Sequence, residues 1–234
     1  MTFEEKLIKV AENTSKVYES GKQAEWSEFW DAFQDYGNRW HYIDGFAGYG
    51  WNDQTFKPKY DIKPDWAIVR MFSYSKITDL EARLIECGVT LDTSKNGNYV
   101  SMFEGSAVTV LPEIVFSKDA TTVGSCFSNC KSLRTIRKIT LEEGFDISFG
   151  AGGSFNNCSA LENVVFEGVI TRNITIQWST KLTKASITSI INALSTTATG
   201  QTATFSKTAV NNAFTTDEWN ELIATRSNWT ISLA

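Results

Sequence analysis

"FSNCKSL" at residues 127–133 returns as "FNNCSAL" at residues 155–161. The residues in between differ, yet Phe, Cys and Leu keep their places. Two chemistries could require this: a pair of metal-binding or redox thiols, or the interior of a repeat array. The longer stretches "FSNCKSLRTI" and "FNNCSALENV" align without gaps, and "IQWSTKLTKA" at 176–185 fits the same frame with Ile176, Ser179 and Leu182 in the three places. Upstream, "FSYSKITDL" at 72–80 and "FEGSAVTVL" at 103–111 fit when one residue is dropped before the Leu position. The copies start at Phe72, Phe103, Phe127, Phe155 and Ile176, a spacing of about 21 to 31 residues. Cys130 and Cys158 then share a column with Ser106 and Ser179, so the position asks for a small side chain rather than a ligand.

Energetics favour the packing reading. Each coil offers five or six apolar side chains worth about 1.5–3 kcal/mol apiece when buried. Ordering some 25 residues costs about 1–2 kcal/mol each. A single coil cannot fold alone, whereas stacked coils share their buried columns. The run after each Leu, as in "LENVVFEG", is β-prone and supplies a strand to a parallel ladder. The expected architecture is an α/β repeat solenoid spanning residues 71–185.

The 234 residues carry a net charge of −5 and no extended basic patch, which argues against nucleic-acid binding through phosphate neutralisation. No apolar run is long enough to span a membrane, so membrane insertion is not expected. The opening "MTFEEKLIKVAENTSK" lacks the basic start and apolar core of a secretory signal, and export by that route is not expected. The four cysteines, at 87, 126, 130 and 158, are expected to be free buried thiols, because a chain of this length builds a core without disulfides.

Four segments are expected. Residues 1–37 form a helical attachment or oligomerisation segment. Thr2 and Glu5 match a capping box, and Phe3, Leu7, Val10, Thr14, Val17, Gly21 and Ala24 trace a coiled-coil seam. A second helix carries Trp26, Phe29, Trp30 and Phe33 on one face, with Gly37 as its stop. The alternative is a helical hairpin packed on its own chain. Residues 38–70 are an aromatic- and Gly-rich connector, which either packs on the first repeat or offers a sugar-binding platform. Residues 71–185 hold the repeats. In the first, "ITDLEARLIECG" reads as a helix capped by Thr78 and Glu81, with Leu80 and Leu84 inward and Gly88 at its end. Residues 186–234 form the C-terminal α/β cap: a short helix capped by Ser186, a strand over 202–210, a helix capped by Thr215 and Glu218, and the final strand "WTISLA".

The F-x-x-C-x-x-L-x-x-I frame of "FSNCKSLRTI" and "FNNCSALENV" resembles the BspA-type leucine-rich repeat. Leu161, Val164 and Phe166 meet the wider family's L-x-x-L-x-L form, while Leu133, Ile136, Ile139 and Leu141 meet it loosely. The resemblance implies a leucine-rich-repeat-like solenoid with a parallel β ladder, an N-terminal helical segment and a C-terminal α/β cap. "AENTSKVYESGKQAEWSEFWDAFQDYGNR", "FAGYGWNDQTFKPKYDI" and the ending "SITSIINALS…TDEWNELIATRSNWTISLA" are similar to repeat proteins encoded among phage and prophage structural genes of Gram-positive gut bacteria. That likeness implies a non-enzymatic virion component, such as a fibre, baseplate or decoration protein, assembled in the bacterial cytoplasm. Its partners would be other virion proteins through the N-terminal helices, further copies of itself, and a host-surface glycan or protein. The alternatives are a bacterial cell-surface adhesin built on the same repeat and a carbohydrate-active enzyme.

His41 is the only histidine and sits among aromatics, and no G-x-S-x-G elbow accompanies it. Cys126 and Cys130 would need two further ligands to hold zinc, with only Cys87 and Cys158 left. "GAGGS" at 150–154 lacks the Lys-Ser/Thr of a phosphate-binding loop and reads as a turn. Glu142 and Glu143 would serve glycoside hydrolysis only across a cleft. Asn52, Asp53 and Asp61 supply oxygens without EF-hand spacing. No catalytic, cofactor-binding or metal-binding residue is assigned, and no cofactor is expected.

Overall fold

The computed structural model describes residues 61–62, 70–95, 97–150 and 152–234. The expected helices of 1–37, most of the connector 38–70, His41, Asn52 and Asp53 lie outside the described residues.

Four copies of the frame stack on their aromatic residue. The rings of Phe72, Phe103, Phe127 and Phe155 follow one another at 5.0, 5.7 and 5.1 Å between centroids, with planes nearly parallel. All four are buried. The backbone explains the stack. Residues two before and two after each Phe take left-handed conformations: Arg70 and Tyr74, Ser101 and Gly105, Ser125 and Asn129, Gly153 and Asn157. Each such pair curls the chain into a tight turn, and successive turns bond through their backbones. Phe72 N–H donates to Met102 O, Phe103 N–H to Cys126 O, and Phe127 N–H to Ser154 O, at 2.8–2.9 Å. Asn and Gly at the second position after Phe suit this geometry, since they tolerate positive φ better than other residues.

After the turns of Phe103, Phe127 and Phe155 the chain runs into a strand, and after that of Phe72 into a helix. β1 (Val110–Phe116), β2 (Thr135–Leu141) and β3 (Asn163–Glu167) form a parallel sheet in the order β1-β2-β3. Leu111, Ile114 and Phe116 pair with Ile136, Ile139 and Leu141, and all six are buried. β1 and β2 share an extra residue between their first two inward side chains, and β3 does not, so register shifts between Ile136 and Ile139. That shared extra residue is why the Leu133–Leu141 stretch meets the repeat pattern only loosely.

The expected leucine-rich-repeat-like solenoid with one parallel ladder is not what forms. The described residues hold two separate three-stranded parallel sheets and four helices, with no solenoid running through them. The second sheet is β4 (Ile174–Ile176), β5 (Gln201–Phe205) and β6 (Trp229–Leu233), in that order. The break has a physical cause at β3. The helix over Lys184–Ala193 lies where the next ladder strand would pair. Its Ser186 hydroxyl accepts from Val164 N–H at 3.0 Å and donates to Glu162 O, while Ser189 accepts from Phe166 N–H at 2.9 Å. With its backbone donors met by hydroxyls, β3 ends the sheet.

The four helices are α1 (Leu80–Cys87), α2 (Lys184–Ala193), α3 (Lys207–Ala213) and α4 (Thr216–Ala224). Gly88 ends α1 in the left-handed region as expected, but the N-cap is Asp79, which accepts from Ala82 N–H at 2.9 Å, not Thr78. Thr183 caps α2, which frees Ser186 to bond β3. The expected strand over 202–210 stops at Phe205, because Ser206 caps α3. The Thr215–Glu218 capping box of α4 is present, and Trp219 is buried beneath it.

Candidate functional surface

The recurring thiols point inward. Cys126, Cys130 and Cys158 are fully buried and Cys87 is half-buried; all four are free. Cys130 Sγ donates to Phe103 O at 2.9 Å and lies 3.6 Å from the Ser106 hydroxyl. Cys158 repeats the bond one turn on, donating to Phe127 O at 3.0 Å. Burial pushes the Cys130 thiol up to about 11 and raises Cys126 and Cys158 well above their ordinary value. Neutral thiols are poor nucleophiles and poor metal ligands. Cys130 and Cys158 fill one column and satisfy the carbonyls of the preceding turn. Ser179 occupies the same place in the fifth copy, also fully buried, but its hydroxyl has no partner. The Leu column is filled by Ile77, Val108, Leu133, Leu161 and Leu182, all buried.

The other residues weighed for chemistry lie apart. Glu142 accepts from Lys118 N–H at 3.0 Å, and its neighbour Glu143 is exposed. Asp61 accepts from the backbone and hydroxyl of Thr90, both at 2.9 Å. Gly152 and Gly153 turn left-handed, and Gly152 O receives Ser125 N–H, so this glycine-rich stretch continues the stack of turns. No group of three or more His, Cys, Asp or Glu able to hold a metal ion occurs among the described residues. Nor is any helix among them long and apolar enough to cross a membrane.

Among the described residues, three outward faces and one groove stand out. On the first sheet, Lys138 bridges Glu113 and Glu167 at 3.0 Å each, and Arg137 pairs with Glu81. The Thr140 hydroxyl, 2.6 Å from Glu113, and then Lys138 hold the Glu113 carboxyl below its usual range. Glu167 and Glu113 raise Lys138 in turn. Lys138 shares its charge between two carboxylates, so this face keeps an excess of negative charge. The outer face of the second sheet is uncharged. Thr175, Thr204 and Ser232 stand in one cross-strand row and Thr202 and Thr230 in another, with the Thr204 and Ser232 hydroxyls 3.0 Å apart. A groove of about 780 Å³ runs between the end of β3 and α2, floored by Phe166, Gly168, Ala185 and Ala193 and rimmed by Lys184 and Asn192.

The third face is the column of residues two places after each repeat Phe: Tyr74, Gly105, Asn129 and Asn157, with Trp178 in the equivalent place of the fifth copy. Asn157 Nδ2 donates to Asn129 Oδ1 at 2.9 Å, and Asn129 Nδ2 donates to the Ser128 hydroxyl at 3.3 Å. Thr180 N–H bonds Trp178 O as Lys131 N–H bonds Asn129 O, although Trp178 does not take the left-handed conformation of the other four positions. Tyr74 and Trp178 are 59% and 48% exposed, unlike the buried Phe residues two places before the first of them and in the copies between. Periodicity alone points to the buried members of the frame. The exposed column becomes visible only once the turns are known to stack.

The loop after α2 is anchored by groups that the sequence reading passed over. Arg226 donates to Asn192 O and Leu194 O, placing a cation at the carbonyl end of α2. Asn228 and the Trp229 indole both donate to Ser195 O.

No protein family, no curated protein and no solved structure matches this chain.

Proposed function

We propose that the chain is a non-enzymatic structural component of a phage virion, presenting a surface for binding the host exterior or another protein. The observation that carries this reading is the division of labour within the repeated frame. Its Phe, Cys and Leu members are buried and used for packing, while the position two places after each aromatic is uncharged and half-buried to exposed. The likeness of the flanking sequences to phage and prophage structural proteins supports the virion assignment. Attachment and self-association are assigned to residues 1–37.

Mass spectrometry and antibody-labelled electron microscopy of purified particles test the proposal. The expected result is the protein at fixed stoichiometry in the particle. Its absence from particles, with surface labelling of cells that carry no prophage, would overturn the proposal in favour of an adhesin.

A further inference from the structure

We infer that the strip Tyr74–Gly105–Asn129–Asn157–Trp178 is a binding site for a neutral, extended glycan chain. The inference rests on the host-surface reading above and names its ligand class. Three observations converge on it.

The first is an unusual aromatic residue. In the turns of Phe103, Phe127 and Phe155 the strip position holds Gly or Asn, which accept the left-handed conformation. In the first it holds Tyr74, at φ 57°. A tyrosine there is conformationally disfavoured. Its ring is nevertheless 59% exposed. It lies over Gly105, where even a single added Cβ would meet the ring at 2.6 Å. Gly105 therefore leaves space for a flat ring held against the surface. An exposed aromatic in a strained backbone gains little for folding and suits contact with a ligand.

The second is the composition of the strip. None of its five residues is charged, which disfavours phosphate or carboxylate ligands. Aromatic rings with amides between them match the two surfaces of a pyranose. The apolar C–H face of the sugar stacks on a ring, and its hydroxyls exchange hydrogen bonds with amide groups that both donate and accept. The Asn157 carbonyl oxygen is not taken up by any described residue, and Asn157 is exposed.

The third is the spacing. Successive turns advance by 5.0–5.7 Å, as the stacked Phe rings record. That step is close to the length of one sugar unit in an extended pyranose chain, so consecutive turns present amides to consecutive sugars.

The test is isothermal titration of the full-length chain with cellohexaose, xylohexaose, mannohexaose and chitohexaose. At least one should bind. Tyr74→Asn is the decisive variant: it installs the residue that the stacked turns already use, so the fold is kept while the ring is lost. Binding should weaken about three- to tenfold in Tyr74→Asn and in Trp178→Ala, and survive in Tyr74→Trp. Thr202→Ala on the second sheet should leave binding unchanged. Failure of all four sugars to bind, or binding that neither Tyr74→Asn nor Trp178→Ala weakens, overturns the inference. These outcomes are separate from the virion test. A protein found in particles that binds no sugar loses only the strip, and one that binds sugar but is missing from particles loses only the virion assignment.

Discussion

The two sheets treat their edges differently. The first has side-chain hydroxyls on both edges, alongside a backbone bridge from Asp79 to Val110 at the start of β1. The Thr93 hydroxyl donates to Val115 O at 2.7 Å and accepts from Val115 N–H at 2.8 Å along β1, while Ser186 and Ser189 close β3. The second sheet has no such device on β6, whose far edge pairs with nothing among the described residues. One hydroxyl that both donates and accepts can stand in for a strand at a given residue. It does so without offering the next backbone edge. A serine pair on a helix can thus end a ladder that the hydrophobic pattern would otherwise continue.

The largest expected effect tests how far the first region depends on its stacked columns. Leu133→Ala and Leu161→Ala, each at a fully buried site, should cost about 2–5 kcal/mol in thermal or denaturant unfolding. A loss comparable to that of a surface substitution would show that the columns do not carry the first sheet. Next comes the join between the regions. Gly168 has φ +94°, and an added Cβ would lie 2.3 Å from Leu141 O. Gly168→Ala should therefore destabilise by about 1–3 kcal/mol from the backbone conformation alone, before the clash is counted.

The edge comparison is sharpened by Ser186→Ala combined with Ser189→Ala. Val164 is buried, so its amide loses its partner, and we expect a loss of about 1–3 kcal/mol. Hydrogen exchange locates the effect: the Val164 and Phe166 amides should be slow in the parent and fast in the double variant, with β5 unchanged. Equal exchange in both proteins would remove the hydroxyls as the cause of the break. A smaller effect is expected for Cys130→Ser, which keeps a donor toward Phe103 O and matches Ser106 and Ser179 in the same column. Its melting temperature should fall clearly less than that of Leu133→Ala.

The smallest effect is the share of the pH dependence carried by the Lys184–Glu218 pair. The Lys184 ammonium, 2.6 Å away, and then the Thr215 N–H bring the exposed Glu218 carboxyl down to about 2. A carboxylate lowered on folding stabilises the fold above its unfolded value and loses that contribution as pH falls toward the folded one. Unfolding midpoints measured between pH 5 and pH 2 should therefore fall less steeply in Glu218→Gln than in the parent. Identical slopes would show that this pair adds nothing to α4.

Much of the local structure was legible in residue order. The Thr215–Glu218 box, the Gly88 stop and the strand after Leu161 follow from capping chemistry and from alternation, which act over a few neighbouring residues. The burial of Phe127, Cys130 and Leu133 follows from their recurrence. Other features were misread for a common reason. Thr78, Ser186 and the end of the strand near Phe205 sit beside equally good caps at Asp79, Thr183 and Ser206, and local propensity does not choose between neighbours. The strip was hidden more deeply: the frame aligns Tyr74 with Asn129 and Asn157, but only the stacked turns leave its ring exposed on one face with them.

By itself the sequence determined which side chains leave water: the spacing of Phe, Cys and Leu is written in the chain, and burial of apolar area follows from it. Only the tertiary structure decided where the ladder stops and which exposed residues form one face. Both depend on hydrogen bonds and contacts between residues some 20 or more positions apart, as between Val164 and Ser186 or Asn129 and Asn157. A hydroxyl that closes a strand and one that merely caps a helix are the same residue in the sequence. They differ only in what the fold brings within 3.0 Å of them.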